Sequence, residues 1–506
     1  MKIAVIGSGI SGLSAAYYLS KKHKVDLFEK EDHFGGHAHT IKIPYQSKKE
    51  VSVDIGFMVF NKETYPNLIK FFFENKIEIE KSDMSFSVSV KETDIEYCGK
   101  GIKGIFSNKK NLFKPKFIRM FLEIISFYRH CEKLNIEIIN KYTLGEYLKK
   151  RKVSDYFINF HIIPMVSAIW SMPPYEATQM PLKFFLSFFR NHGLFKLKNR
   201  PQWFTVAKRS KNYVDKIVSQ ISGEYFKNYN VNKILRNTKG VKIFYGSENE
   251  FFNYDKVVVA THADEALNLI EKPRSEELKI LKNFNYRSNI AVIHSDENFM
   301  PKNRKVWCSW NSSMHRRDIK KTSVTYWLNQ LQNLKIDKNI FLTINPFIEI
   351  SEKKIFKKVK FTHPYYNKNA LDNQNQLNLI QNKKDILFCG SYFGYGFHED
   401  GIKSSLEMIN HDINHVLIKQ GYTPESNDDK EAYDWFKAAR YEGRHIDRLY
   451  KDDSFDIIGW NMYMPPEYAA RGILIFDQLP EHNDDAGGDH TYTDLTEHEV
   501  FRTNEG

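Results

Sequence analysis

The first twenty residues place a glycine-rich turn between an apolar run and a helical pattern. Within "KIAVIGSGISGLSAAYYL", Ile3–Ile6 form a short, mostly β-branched run, as a buried parallel strand requires. Gly7, Gly9 and Gly12 follow with the spacing G-x-G-x-x-G. Gly7 permits a tight turn, Gly9 lets the backbone approach a pyrophosphate, and Gly12 lets helix and strand pack closely. This order predicts a strand, turn and helix that bind a nucleotide.

A second strand supports that interpretation. "KVDLFEK" contains Glu29, 22 residues after Gly7, followed by Lys30. A carboxylate at this distance accepts hydrogen bonds from an adenosine ribose. The free amides at the start of the helix, at Ile10 and Ser11, are expected to face the phosphates. The segment predicts a dinucleotide site; the alternative is a glycine turn in an unrelated α/β unit.

A second glycine turn, in "HFGGHAHT", separates the possible cofactors. Gly35 and Gly36 resemble the extra glycine pair of the flavin-containing amine oxidase superfamily, which helps to hold the FAD diphosphate. FAD is therefore the expected cofactor. His37 stands where the superfamily has Arg, and a neutral His is a weaker phosphate partner. His37 and His39 alternate as two metal ligands do, but no third ligand accompanies them, so no metal site is expected.

Further motifs extend the resemblance from residue 1 to about residue 418. They are similar to one bacterial branch of the superfamily, whose members are described as predicted FAD- or NAD-binding oxidoreductases. The motifs are "VDIGFMVFN", "AIWSMPP", "VVVATHADEAL", "SVTYWLNQLQ" and "YGFHEDG".

The resemblance implies an α/β fold with two parts. One is a discontinuous Rossmann-like FAD-binding domain of the two-dinucleotide-binding-domain type, and the other is an inserted α+β substrate domain. The expected boundaries are 1–60, 201–270 and 375–418 for the FAD-binding domain, 61–200 and 271–374 for the substrate domain, and 419–506 for an acidic accessory or fused segment.

In the superfamily, the last segment of the FAD-binding domain supplies a strand and then a helix that points at the isoalloxazine. In "DILFCGSYFGYGFHEDGIKSSLEMI", we expect the strand at Ile386–Cys389 and the helix N-cap at Asp400. Gly390 would let the backbone approach the cofactor. The free amides of Gly401 and Ile402 would point at the flavin edge that gains negative charge on reduction.

The polar residues of this segment leave alternatives open. His398, Glu399 and Asp400 could be metal ligands, acid–base groups or the start of a helix. Helix capping is favoured, because adjacent side chains cannot surround one ion without a sharp turn. His398 is the single candidate for acid–base catalysis. Ser391 stands where the superfamily commonly carries an acidic residue near the ribityl chain.

Two more positions come from the resemblance. "NYDKVVVATHADEAL" resembles the return strand of the nucleotide domain, Lys256–Ala260, and Val231 resembles the valine whose backbone touches the adenine. Ala207 and Lys208 replace the Gly-Gly pair that is usual before this region.

The middle of the chain is rich in aromatic residues. "MPLKFFLSFFRNHGLF" has five phenylalanines in sixteen residues. Core packing is the favoured interpretation, although an apolar tunnel over a flavin would have the same composition. Trp170, Tyr326 and Trp327 are candidate walls of such a tunnel.

The net charge of +12 hides an asymmetry. Residues 421–506 hold 8 Lys/Arg and 20 Asp/Glu, which leaves 66 and 42 in the first 420 residues, a balance of +24. Eight Lys/Arg lie between Lys100 and Arg129, in a helical segment that carries Phe113, Phe117 and Phe121. A basic aromatic helix is typical of peripheral contact with an anionic membrane; a solvated basic surface is the alternative. No nucleic-acid-binding signature is present.

Several patterns bear on location. No apolar run approaches the ~20 residues that span a bilayer. The N-terminus resembles a signal peptide, but glycines interrupt it and no small-residue cleavage site follows. The four cysteines form no C-x-x-C pair. We expect a cytoplasmic protein that contacts the inner face of the membrane peripherally. No pattern indicates the oligomeric state.

These observations predict an FAD-dependent oxidoreductase that dehydrogenates an apolar substrate by hydride transfer to flavin N5. Relatives of the bacterial branch tend to be encoded beside cyclopropane-fatty-acid-synthase-like enzymes, which implies a membrane lipid or a modified acyl chain. The alternatives are an amine oxidase acting on a small amine and a non-catalytic flavin-binding protein. The tail faintly resembles a fragment of pyridoxal-phosphate sugar aminotransferases, but at 86 residues it is too short for their lysine domain.

Overall fold

A computed structural model describes residues 1–410 except 47–48, 136–140, 197, 239, 247–249, 316–317 and 319–321. The predicted tail segment, residues 419–506, lies outside the described residues. The strands are β1 Lys2–Ile6, β2 Lys24–Phe28, β3 Thr40–Gln46, β4 Lys49–Asp54, β5 Phe60–Asn61, β6 Ile79–Ser82, β7 Phe86–Lys91, β8 Glu96–Cys98, β9 Trp203–Val206, β10 Tyr225–Phe226, β11 Val231–Asn237, β12 Gly240–Tyr245, β13 Phe251–Tyr254, β14 Lys256–Val259, β15 Asn285–His294, β16 Trp310–His315, β17 Thr322–Trp327, β18 Phe341–Ile344, β19 Ile355–Tyr365 and β20 Ile386–Phe388.

The helices are α1 Ile10–Ser20, α2 Pro66–Glu74, α3 Gly101–Ile105, α4 Pro115–Lys133, α5 Leu144–Lys150, α6 Asp155–Phe157, α7 Ile163–Trp170, α8 Pro174–Ala177, α9 Leu182–Asn191, α10 Ser210–Val218, α11 Ala263–Leu269, α12 Ser275–Leu281, α13 Leu328–Leu331, α14 Lys368–Gln374 and α15 His398–Met408. Single turns of 3₁₀ helix, including Lys109–Phe113, connect some of them.

A five-stranded parallel sheet, in the order β10-β2-β1-β14-β20, forms the nucleotide-binding part. Its central strands are apolar on both faces, as parallel strands covered on two sides must be. Ile3, Val5, Val257 and Val258 are all fully buried. Three distant stretches of the chain supply these strands. The first strand, β1, pairs with β2 on one side and with the return strand β14 on the other.

A seven-stranded sheet, in the order β19-β15-β18-β17-β16-β7-β8, forms the second part. β7 and β16 pair in parallel, and the other pairs are antiparallel. The phenylalanines of α9 pack with α4 to α7 in one large core next to this sheet, and Phe185 and Phe189 are fully buried. The prediction that this aromatic run is core is confirmed.

The expected mixed α/β fold, with a Rossmann-like domain and an inserted substrate part, is confirmed. The basic helix differs from expectation, because α4 turns one face into the core. Phe117 is fully buried and Phe121 contacts Phe106 with ring centroids 5.4 Å apart. Of the three phenylalanines expected to enter a bilayer, only Phe113 is exposed, at 87%.

Candidate functional site

The first glycine turn has the geometry that its spacing predicts. Gly7 has φ +97°, and a Cβ there would lie 2.9 Å from the carbonyl oxygen of Ala260 on the neighbouring strand end. A Cβ on Gly12 would lie 1.8 Å from the Gly7 carbonyl oxygen, so α1 packs on the turn without a side chain between. A Cβ on Gly9 would meet nothing within 4 Å. Gly9 therefore faces open space at the start of α1.

The second glycine turn folds back onto the first. The Gly35 amide donates to the Ser8 carbonyl at 3.1 Å. Gly35 and Gly36 have φ of +110° and +55°, and a Cβ on Gly36 would lie 3.1 Å from the Gly9 Cα. The two turns together form a backbone cradle beside the N-terminus of α1, which suits an anionic pyrophosphate.

Glu29 follows β2 directly and is buried beside this cradle. Its carboxylate accepts the amides of Ser8 and Glu31, each at 3.0 Å, and the Ser8 hydroxyl. These bonds hold the carboxylate at the end of β2, where it lines the same cavity as Gly9. Lys30 forms an ion pair with Glu265 at 2.6 Å across the cavity edge.

The predicted site residues divide into those that line a common cavity and those that do not. Most line one continuous cavity of about 980 Å³. Gly12, Gly35, Asp400, Gly401 and Ile402 do not line it. The lining group is Gly7, Gly9, Ile10, Ser11, Glu29, Lys30, Gly36, His37, Val231, Ala260, Gly390, Ser391 and His398.

The helix after β20 begins earlier than predicted. α15 begins at His398, with Phe397 as its N-cap, so the prediction of Asp400 as N-cap is wrong. Asp400 lies in the first turn and its carboxylate accepts the Phe397 amide at 2.9 Å, which is one half of a capping box. The sequence pattern concealed this start because Phe is a poor N-cap. Burial raises the pKa of Asp400 to about 6.

Gly401 and Ile402 also differ from expectation. The Gly401 amide already donates to the Phe397 carbonyl at 3.1 Å, and both residues are buried. A Cβ on Gly401 would lie 2.7 Å from both the Ile10 Cγ2 and the Ser11 Oγ. This glycine therefore allows α15 to pack against the start of α1 and does not offer a free amide to a flavin.

The lack of a side chain at Gly390, like that at Gly401, allows a close contact within the protein. The Gly390 backbone is extended, and a Cβ there would lie 2.3 Å from the Tyr392 ring. Gly390 makes room for this buried tyrosine, although it also lines the cavity.

His398 and Glu399 have separate structural partners. The His398 ring stacks on Phe57, with centroids 3.6 Å apart, and its Nε2 lies 3.3 Å from the Tyr213 hydroxyl. Burial lowers the pKa of His398 to about 3, so the ring is neutral at physiological pH. Glu399 accepts the amides of Asn67 and Leu68 at 3.1 and 3.0 Å and so caps α2. Within the described part of the chain, no group of three His, Cys, Asp or Glu is arranged to hold a metal ion.

His37 lies in a group of neutral histidines that the sequence did not reveal. The His37 ring centroid is 5.4 Å from that of His363 and 6.2 Å from that of His262. Burial lowers the pKa of all three, to about 4 for His363. The buried Nε2 of His37 has no hydrogen-bond partner among the described residues. All three rings line the cavity, so this Nε2 is a polar group that a bound cofactor could satisfy.

The cavity continues from the cradle into an aromatic arm. Trp170 lies 4.7 Å from Phe188, and Trp310 lies 4.8 Å from Tyr326, as ring-centroid distances. Trp170 and Tyr326 were predicted walls, whereas Trp327 does not line the cavity. Strand pairing brings Trp310 beside Phe86, a contact that no local pattern predicts. We define the aromatic arm as Met84, Phe86, Met165, Ile169, Trp170, Phe188, Leu194, Arg200, Trp203, Trp310 and Tyr326.

The fold and the cradle are those of a dinucleotide-binding α/β protein whose cradle opens into an aromatic arm, and comparisons with known proteins support the dinucleotide-binding domain. The model of the NAD(P)-binding Rossmann-like domain matches residues 5–74. The chain is 28% identical over 195 residues to prenylcysteine oxidase 1 of Rattus norvegicus, which covers 33% of this chain and 37% of that protein. It is 24% identical over 189 residues to 15-cis-phytoene desaturase of Synechococcus elongatus, which covers 35% and 39%. The chain thus spans well under half the length of these relatives.

The solved structure of cyclohexylamine oxidase from Brevibacterium oxydans superposes over 82% of this chain and 99% of that chain, with a TM-score of 0.57 and 13% identity. Together these findings confirm the predicted fold, which is similar to that of a solved amine oxidase and contains a dinucleotide-binding domain of the kind that the predicted cofactor, FAD, requires. The cradle fits a dinucleotide such as FAD: Gly9 leaves space, Glu29 is buried at the end of β2 and lines the same cavity, and the His37 Nε2 has no hydrogen-bond partner among the described residues.

No helix within the described ranges combines the length and the apolar character needed to cross a membrane.

Proposed function

We propose that this protein is an FAD-dependent oxidoreductase that dehydrogenates an apolar substrate, a membrane lipid or a modified acyl chain. The observation that carries the proposal is the single cavity in which the dinucleotide cradle opens into the aromatic arm. FAD, when bound, supplies a hydride acceptor. The chain supplies binding, orientation and exclusion of water.

The aromatic arm favours an apolar substrate. Most residues at this end of the cavity are aromatic or aliphatic, with Ser171 and His192 among the polar ones, and apolar walls exclude water and hold a chain by contact rather than by hydrogen bonds. The prenylcysteine oxidase and phytoene desaturase relatives, by their names, also act on isoprenoid compounds. The rings of His37, His363 and His398 are neutral, so they add no positive charge to the cavity.

Arg200 gives the arm one polar end. Its Nε donates to the Lys196 carbonyl at 2.8 Å, and no carboxylate of the described residues forms an ion pair with it. A guanidinium at the end of an apolar chamber suits an amphiphile with an anionic group. A protein with such a substrate would work in the cytoplasm at the inner face of the membrane.

The test is anaerobic mixing of the purified holoprotein with a membrane lipid extract, with free fatty acids and their methyl esters, and with a panel of small amines. Bleaching of the flavin by lipid or fatty acid supports the proposal. Bleaching by amines alone replaces it with amine oxidation. If dithionite bleaches the flavin but none of these compounds does, the result favours a non-catalytic flavoprotein.

The cofactor is tested by the Gly9→Asp variant. A carboxylate at this position would occupy the open space of the cradle and repel a pyrophosphate. The variant should fold, by circular dichroism, and lose its flavin absorbance. Retention of one FAD per chain would overturn the assignment of the cradle.

A further inference from the structure

An exposed surface combines apolar and basic side chains between residues 100 and 122. It is formed by α3, the 3₁₀ turn Lys109–Phe113 and the first half of α4. Ile102, Leu112, Phe113 and Leu122 are 70%, 50%, 87% and 59% exposed. Four large apolar side chains this exposed lie within some twenty residues of the chain, and exposed apolar side chains that gather on one surface mark interaction sites. We call this surface the 100–122 face.

The 100–122 face is also basic. Lys100, Lys103, Lys109 and Lys116 are exposed, and no carboxylate among the described residues lies within ion-pair distance of any of them. Lys110 and Arg119 do have carboxylate partners, Asp94 at 3.7 Å and Glu123 at 3.0 Å. The four unpaired lysines leave a net positive field around the apolar side chains.

The opposite side of the same elements is firmly packed. Phe117 and Met120 of α4 are fully buried, and Phe106, which follows α3, contacts both Phe117 and Phe121. The exposed side chains therefore belong to elements whose inner side is packed in the core, and they are accessible to a partner in the folded protein.

The 100–122 face begins at the polar end of the aromatic arm. Gly99 directly precedes it, and a Cβ on Gly99 would lie 4.0 Å from the Arg200 Nη1. The Gly99 amide donates to the carbonyl of Phe86 at 2.9 Å, and both Phe86 and Arg200 line the cavity. The residue that leads into the 100–122 face therefore lies beside two residues that line the chamber.

We propose that the 100–122 face docks on an anionic lipid bilayer. Phe113, Leu112 and Ile102 would enter the interface between headgroups and acyl chains, while the lysines contact anionic headgroups. A second copy of this chain is a poorer occupant, because a symmetric contact would bring like-charged lysines together. The assignment rests on the proposed function and deepens its peripheral location, because it names the surface that would meet the bilayer.

The experiment is co-sedimentation of the full-length holoprotein with phosphatidylcholine vesicles that contain no or one-third phosphatidylglycerol, at low and physiological salt. We expect binding to the anionic vesicles that weakens as salt increases. The double variant Phe113→Ser/Leu112→Ser and the triple variant Lys103→Glu/Lys109→Glu/Lys116→Glu should each reduce partitioning roughly tenfold or more. Their flavin spectra should be unchanged.

The matched controls are Phe73→Ser and Lys353→Glu, which alter an 85% exposed phenylalanine and an exposed lysine outside the face. They should bind vesicles like the wild type. Absent binding, equal binding to both vesicles, or unchanged binding by the face variants would overturn the proposal. So would self-association in sedimentation velocity that only the face variants abolish, since it would identify a second copy as the occupant. No turnover is measured, so a failure here leaves the proposed reaction untouched.

Discussion

The hydroxyl oxygens of Ser14 and Ser405 lie 2.7 Å apart in the buried contact between α1 and α15, although 391 residues separate them in the chain. This bond joins the helix of the dinucleotide cradle to the helix that follows the last strand. Gly401 lies in the same contact, where its missing Cβ leaves room for Ile10 and Ser11. The position of α15 therefore controls the position of the cradle.

Gly401→Ala should push the two helices apart. We expect a loss of about 1–3 kcal/mol in the free energy of unfolding from overpacking, and weaker flavin binding because the start of α1 shifts. Urea unfolding and the flavin dissociation constant are the measurements. Ser405→Ala, which removes the hydrogen bond without adding an atom, should cost about 1 kcal/mol and retain flavin. Equal flavin loss in both variants would contradict the steric explanation.

The glycines of the first turn should separate cofactor binding from folding. Gly9→Ala places its Cβ in open space. The free energy of unfolding of the apoprotein should therefore stay within about 0.5 kcal/mol of the wild-type value, while flavin binds less tightly. Gly12→Ala would bring a Cβ within 1.8 Å of the Gly7 carbonyl oxygen, and should destabilise the apoprotein by about 3 kcal/mol or more. Unfolding of the two apoproteins, followed by FAD titration, tests both. Similar apoprotein stabilities would refute this division of roles.

Acid should destabilise the protein through buried His161. Burial lowers the pKa of this ring to about 3, and it contacts the hydroxyls of Tyr97 and Tyr128 at 3.1 and 2.8 Å. Below pH 6.5 the imidazole takes up a proton in the unfolded chain but not in the folded chain. The free energy of unfolding therefore decreases as the pH is lowered, until the pKa of the folded state is reached. By pH 5 this one residue should cost about 2 kcal/mol. His161→Phe should remove that part of the slope, and the same comparison at pH 8 measures its packing cost alone. An identical pH slope in both proteins would show that His161 is not the titrating group.

The turn before α10 keeps a left-handed backbone without glycine. Lys208 and Arg209 have φ of +62° and +81°, where a side chain is strained. Lys208 is exposed, and its ion pair with Glu78 at 3.4 Å is solvated on both sides. Lys208→Gly should therefore raise the melting temperature, with a gain of up to about 1 kcal/mol. Lys216→Gly, within α10, should lower stability by about 1 kcal/mol. A loss of stability in both would mean that the ion pair outweighs the strain.

The composition of the chain changes at about residue 420, from a basic to an acidic balance. We therefore expect residues 421–506 to be an accessory segment that flavin binding does not require. A chain that ends at Lys419 should bind one FAD and unfold in one cooperative transition. Calorimetry and flavin absorbance measure this directly. An aggregated or flavin-free product would show that the tail completes the core.

The sequence alone predicted most of the features that depend on local order. The glycine spacing, the flanking apolar strands and the position of Glu29 are short-range patterns, because a tight turn, a helix start and a strand end are each decided by a few neighbouring residues. The superfamily fold followed from the same motifs. The sequence predicted that a helix starts in the His398–Asp400 run, but it placed the N-cap at Asp400, because the actual N-cap, Phe397, is a residue that propensity argues against.

Only the tertiary structure decided which distant residues meet. Glu399 caps α2 across 331 residues, Trp310 joins the chamber through pairing with β7, and His37, His262 and His363 come together from three segments. It also divided the basic helix into a core face and an outer face, which moved the candidate membrane contact from Phe117 and Phe121 to the residues around Phe113. Such contacts depend on strand register and helix packing over the whole chain, and no local pattern carries that information.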